Sequence, residues 1–306
     1  MSLSFSIKDL ENICGIKAHT IRIWEKRYHL LTPSRTDTNI RNYDQKSLKR
    51  LLDVSFLVQC GYKISRVAKF SEEEIIAFTK NINVNDSISK KAIIDFKMAI
   101  LNYDEATFHK IYKTVSEKID FKSILYTLFL PLLNEVGMLW KMQTLDNAHE
   151  HFITYLIKQK IAVSIEALQF LPKKNNNTLY VLFLPEGEPC ELELYILYYL
   201  VNAAHLHCLF LGVGISFNEI EKIYKLKKQK VVFVTHFTLS KHGASQLETP
   251  KYIQEFLQEF CPTNSQNELW ATGVQTTKYN LENTSNFKSI DAFKAFEKQL
   301  KDQKNV

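Results

Sequence analysis

The stretch MLWKMQTLDNAHEHF, residues 138–152, sets an indole ahead of a His-Glu-His triplet. Such a group could bind a metal, hold a cofactor or simply pack. His149 and His151 are two residues apart, so on a helix they point about 200° apart and cannot share one ion without distortion. The triplet alone therefore makes no zinc site, and His149 reads as a surface or bundle histidine. A second chemistry-bearing group is basic: Arg22, Lys26 and Arg27 crowd one short stretch, and Arg35 and Arg41 follow it. No Ser-His-Asp set, P-loop or paired metal motif occurs, which argues against an enzyme and assigns no metal.

Charge separates these two groups. Residues 1–70 hold 13 Lys+Arg and 6 Asp+Glu, giving +7, and the remaining 236 residues give −1, so the whole positive excess lies in the first quarter. A local basic excess is what a phosphate-binding module needs, because counterion release supplies much of the affinity for DNA. Five cysteines, an odd number with no C-x-x-C pair, argue for reduced thiols in a cytoplasm rather than a disulfide scaffold. No run of 18 apolar residues occurs and the first residues lack a secretion signal, so no membrane association is expected.

The elements that must position these residues follow from periodicity. In FSIKDLENICGIKAHTIRIWEKRY, Ile7, Leu10 and Ile13-Cys14 line one helix face, Gly15 stops the helix, and Ile16 can plug the corner. A second helix is predicted from Ala18 to Tyr28, with Ile21 and Trp24 toward the core. Pro33 and the polar run Thr36–Asn39 suggest a two-stranded wing. Asp44 caps a helix carrying Leu48, Leu51, Leu52 and Phe56, Gly61 ends it, and Ile64–Phe70 begins another. Residues 71–85 read as a polar connector with a partly helical start. Four amphipathic helices are predicted near 87–101, 104–118, 120–140 and 146–170, interrupted only by Pro131, as in a helical bundle. After the linker 172–177, strands at TLYVLFLP, HLHCLFLG, KVVFVTHF and ELWATG alternate with helices, the pattern of a flavodoxin-like parallel sheet. The expected fold is thus multi-domain, α and α/β. It comprises a winged helix-turn-helix (1–75), a four-helix bundle (86–171) and a flavodoxin-like parallel sheet (177–303).

With GIKAHTIRIWEKRYHLLTPSRTDTNIRNYD and CGYKISRVAKF in order, the first 70 residues resemble the MerR family of bacterial regulators. The Trp24-Glu25-Lys26-Arg27-Tyr28 form looks most like its CarH/LitR subgroup. Where that family's wing turns through Gly this chain has Asn39, which also tolerates a left-handed backbone. The resemblance implies contacts to a double-stranded DNA operator from Arg22, Arg27, Tyr28, Arg35, Arg41 and Tyr43. Because such operators mirror protein symmetry, a homo-oligomer is expected.

It extends further. Val136-Gly137-x-x-Trp140, then nine residues, then Glu150-His151 is similar to the bundle that caps cobalamin in CarH/LitR-type photoreceptors, where the Trp covers the upper face and Glu and His lie near the upper ligand. The loop LPEGEPCELELYIL is similar to the same subgroup's cobalamin loop, Gly-Glu-x-His-Glu-Leu-Gly-Leu. Gly187, Glu188, Glu191-Leu192 and Leu194 match, but Cys190 stands for the axial His and Glu193 for the Gly. Lys141, next to Trp140, cannot act as an axial imidazole there. LFLGVGIS and ELWATGV resemble the later nucleotide-tail loops, with Thr272-Gly273 for a Gly-Gly pair. The cofactor residues implied, were adenosylcobalamin retained, are Trp140, Glu150, His151, Glu188 and Cys190. Two regulators are consistent with this pattern. One has lost cobalamin and answers to another small molecule or a partner protein. The other is cobalamin-dependent and light-responsive.

Overall fold

The computed structural model describes residues 3–80, 85–174, 177–226, 229–238, 248–273, 276, 278–279 and 281–302. Residues 81–84 of the expected connector, 175 and 176 of the expected linker, and Val274 lie outside them. Two compact units divide the chain, Met1–Ile157 and Lys158–Val306.

The first unit opens with a reciprocal cap. Ser6 Oγ accepts from the Asp9 N–H at 3.2 Å, and Asp9 accepts from the Ser6 N–H at 2.8 Å, which starts α1 (Ile7–Cys14). Gly15, at φ 71°, ends it, where a side chain would be strained. α2 (Ala18–Tyr28) follows, burying Ile21 and Trp24 as expected. β2 (Ser34–Arg35) and β3 (Arg41–Asp44) form the wing, in register Arg35↔Arg41, and Asn39 takes the left-handed conformation at φ 64°. β1 (Ser4–Phe5) completes a three-stranded sheet on the other side of β3. Asp44 accepts from the Ser47 N–H and caps α3 (Gln45–Gln59). α4 (Ile64–Val67) is shorter than expected.

The 71–85 segment holds a nine-residue helix, α5 (Glu72–Lys80). Then come α6 (Asn85–Leu101), α7 (Glu105–Ser116), a long helix and α10 (Asn147–Gln169). The long helix, Phe121–Lys141, is built from α8 (Phe121–Ile124), a π turn (Leu125–Phe129) and α9 (Leu130–Lys141). Pro131 explains the π turn: it has no N–H to offer Thr127, and the backbone widens so that the Leu130 N–H bonds the Leu125 carbonyl. By length and composition this helix is apolar enough to cross a membrane. Its apolar face, Leu125, Leu128, Phe129, Leu132, Val136 and Leu139, is instead buried within the unit.

The second unit is a five-stranded, all-parallel sheet in the order β5-β4-β6-β7-β8. Its strands are β4 (Thr178–Pro185), β5 (Cys208–Ile215), β6 (Lys230–His236), β7 (Glu268–Thr272) and β8 (Phe287–Ile290). The sequence pattern accounts for the first four and misses β8. α11 (Glu191–Ala203), α12 (Phe217–Leu226), α13 (Thr249–Phe260) and a closing helix, Phe293–Asp302, supply the crossovers and cover. Alternation sends Val181, Phe183, Phe233 and Ala271 to one face, where Phe256 and Phe260 pack among them. Tyr180 and Trp270 go to the other, Trp270 packing edge-on against Phe296. The order of strands places the topological switch point between β4 and β6. Ligands of such sheets bind at the carboxyl ends of the strands there.

Candidate functional site

α2 presents His19, Arg22, Ile23, Lys26 and Arg27 to solvent on one face, opposite buried Ile21 and Trp24. Arg35 is exposed on the wing, where its Nη1 donates to Asn39 Oδ1 at 2.6 Å. Arg27 lies over the half-buried Tyr28 ring, 5.6 Å from its centroid. Arg41 and Tyr43 are placed differently. Arg41 Nε donates to Glu25 Oε1 at 3.1 Å, and the Tyr43 hydroxyl donates to Glu25 Oε2 at 2.9 Å. Tyr43 is only 1% exposed, and burial together with the Glu25 carboxylate pushes its phenol well above the usual range. Glu25 therefore ties α2 to the wing. The sequence offers it only as one letter of Trp-Glu-x-Arg-Tyr, because its partners lie 16 and 18 residues away.

The loop after α9 is tightly organised. Trp140 Nε1 donates to Asn147 Oδ1 at 2.5 Å, which fixes the indole against the start of α10. Asp146 accepts from the His149 N–H at 3.1 Å and lies 2.7 Å from His149 Nδ1, and these bonds lower its carboxyl below the usual range. Tyr103 stacks on His149 at 4.5 Å. His149 is thus part of a helix cap, while Glu150 is half-buried and His151 exposed. The same loop touches α1, where Asn12 Nδ2 donates to Thr144 Oγ1 at 2.9 Å, and from α6 Lys97 Nζ donates to the Ile13 carbonyl at 3.0 Å.

In the second unit, the loop after β4 carries Glu188 and Cys190. Glu188 is buried, and its Oε2 accepts from both the N–H (3.1 Å) and the Oγ1 (3.2 Å) of Thr238, just past β6. One carboxylate thereby bridges the loops on the two sides of the switch point. Burial pushes the Cys190 thiol up to about 11, with the charges of Glu193 and Glu188 adding to it. Such a thiol stays protonated at neutral pH and is a weak metal donor. Among the described residues no three His, Cys, Asp or Glu side chains converge as a metal site. Gly212 and Gly214, both at positive φ, accompany the register shifts of β5 against β4. At Gly273, φ 103°, a Cβ would lie 2.3 Å from the Phe237 carbonyl oxygen, so the strand-end turn there admits only glycine.

Glu193, in the first turn of α11, is pushed by burial from 4.5 up to about 7. The folded chain then holds a proton that the unfolded chain has released, so stability falls as pH rises from about 4.5 to 7 and is level above. Glu193→Gln removes that cost. With a discount for its partial exposure, the variant will be more stable by about 2 kcal/mol at pH 8 and nearly unchanged at pH 4, as read by urea unfolding at the two pH values.

A family described as MerR HTH family regulatory protein matches residues 5–74, and the B12 binding domain matches residues 93–164. The HTH-type transcriptional repressor CarH of Myxococcus xanthus is 23% identical over 173 residues, 54% of this chain and 57% of that protein. The repressor CarA of the same organism is 25% identical over 174 residues, 56% of each chain. This chain spans about half the length of these two curated relatives. Among solved structures, the monomethylamine corrinoid protein of Methanosarcina barkeri is similar in fold, with a TM-score of 0.57 and 17% identity over 71% of this chain and 99% of that one.

Proposed function

We propose that this chain, which joins a MerR-type helix-turn-helix to a B12 binding domain, is a transcription regulator acting on double-stranded operator DNA as a homo-oligomer. The carrying observation is the exposed basic face of α2, locked to the wing through Glu25. Recognition helices of this class lie in the major groove, with flanking elements on phosphates. In this reading Arg22, Arg27, Tyr28 and Arg35 face the duplex. Arg41 reaches a phosphate from its Glu25 anchor, and Tyr43 acts mainly by seating the wing. A two-fold operator mirrors a two-fold protein, which is the reason to expect self-association. Residues 1–75, 86–171 and 177–303 are the working domains, in a cytoplasm that keeps the five thiols reduced.

The sensor is derived from a cobalamin module but answers to another small molecule or a partner protein. The loop residues do not fit a corrinoid held from below by histidine. Residue 190 is a thiol that stays protonated, Glu188 is committed to Thr238, and Glu193 adds bulk and charge. The Asn12–Thr144 bond supplies the route by which a shift in the 142–147 loop reaches α1, and the Lys97–Ile13 bond holds α1 to α6. A second reading, a cobalamin-dependent and light-responsive regulator, draws on the Trp140–Asn147 bond, which keeps the indole at the head of the helix bearing Glu150 and His151.

The test is operator binding across a salt series, with the operator enriched from a random duplex pool. Log affinity will fall linearly with log salt, with a slope set by the phosphates neutralised. Affinity indifferent to salt would reject the DNA-binding reading.

A further inference from the structure

One side chain on the exposed face of α2 does not match its neighbours. Ile23 keeps 52% of its surface exposed, within an arc that otherwise carries His19, Arg22, Lys26 and Arg27. At about 100° per residue, His19 and Arg27 each lie roughly 40° from it, while buried Ile21 lies roughly 160° away. Its place is therefore the basic face and not the edge of the core. A β-branched residue is also a weaker helix former than the Lys or Arg around it, so local folding does not ask for isoleucine here. Single exposed aliphatic residues are common on protein surfaces. This one sits in the middle of the face that the preceding reading turns toward DNA.

In the major groove a base pair offers donors, acceptors and one apolar group, the 5-methyl of thymine. Phosphates can serve Arg22, Lys26 and Arg27, but nothing on the sugar-phosphate backbone rewards burial of an isoleucine between them. We propose that Ile23 is a base-reading residue that specifies thymine at one position of each half-site through its 5-methyl group. The proposal rests on the DNA-binding reading.

The experiment uses the full chain and an operator enriched from a random duplex pool. Each thymine is replaced in turn by deoxyuridine, which removes only the methyl, and binding is measured by fluorescence anisotropy at one fixed salt concentration. The wild type is expected to lose about three- to fourfold at one thymine per half-site, the worth of one methyl group taken out of water. Ile23→Ala will bind thymine and deoxyuridine duplexes equally there, while its salt slope stays that of the wild type because the phosphate contacts remain. Its unfolding midpoint will not fall by more than about a degree, since half of the side chain is exposed and alanine is the better helix former. A wild type indifferent at every thymine overturns the proposal, and so does an Ile23→Ala protein that keeps the preference. Failure of the underlying reading looks different: no sequence is enriched and no salt-dependent binding is seen.

Discussion

Arg22→Ala combined with Arg27→Ala will weaken operator binding by about a hundredfold or more at low salt and make what remains much less sensitive to salt. Both side chains are exposed on α2, within the 70-residue stretch that carries the chain's charge excess. In a two-fold complex each substitution removes two cations from the interface. If all four meet phosphates, the slope of log affinity against log salt flattens by roughly 3 to 4. The loss is expected to be uniform across sequences wherever an arginine meets only phosphate, and position-specific where it reaches a base. Because neither side chain supports the core, the folded population will not change, which separates this outcome from unfolding. Glu25→Ala gives the contrasting pattern. It removes no positive charge but leaves the buried Tyr43 hydroxyl and the Arg41 guanidinium without their shared carboxylate, so it should cost about 1–3 kcal/mol of stability and loosen the wing. Operator affinity unchanged in the double arginine variant would mean that α2 is not the recognition helix.

How far the sequence foretold this arrangement depends on the range of the interactions involved. α1, α2 and the wing follow from signals a few residues apart: the Ile7, Leu10 and Ile13 spacing, Gly15, the Asn39 turn and the Asp44 cap. Strand β4 is an uninterrupted apolar run, and a strand buried on both faces needs no other signal. β8 was missed because Phe287–Ile290 is four residues long, carries Lys288 and Ser289, and pairs only with β7 at the sheet edge. α5 is a different case. Ser71 and Glu74 make a capping box, with the Ser71 N–H on Glu74 at 2.7 Å and the Glu74 N–H on Ser71 at 3.2 Å. That Ser-x-x-Glu signal is present in SEEE, but its acidic run reads as a polar connector with only a partly helical start, which α5 extends to nine residues. The site was less legible than the fold. Glu25 works through residues brought in by the wing, and Glu188 is bridged to Thr238 from fifty positions away. No local pattern encodes either, so the residue types could be named but their partners could not.

Wild-type protein mixed with adenosylcobalamin in the dark will retain no corrin absorbance after desalting. Cys190→His combined with Glu193→Gly will retain some. The argument is chemical. A corrinoid bound through a protein histidine would need a neutral imidazole nitrogen at residue 190, in the loop after β4. Here that loop offers a thiol whose deprotonation is pushed to about 11 and a neighbouring carboxyl that becomes charged near neutral pH. Replacing the thiol alone supplies a nitrogen donor but leaves the volume and charge of Glu193, so the single variant should gain less than the double. Glu188 sets a further limit. A carboxylate that orients an axial imidazole would have to leave the Thr238 N–H and hydroxyl, each a hydrogen bond worth about 1–3 kcal/mol to a charged partner, so recovery in the double variant should be partial. If the unmodified protein retains the corrin, Trp140 of α9 with Glu150 and His151 of α10 form a working cap and the cobalamin-dependent reading takes precedence; a green flash then asks whether operator release is driven by light. If it does not, while the double variant does, the scaffold has kept its shape and given up its ligand at two positions. The proposed route to α1 through Thr144 would then be driven by something other than a carbon–cobalt bond.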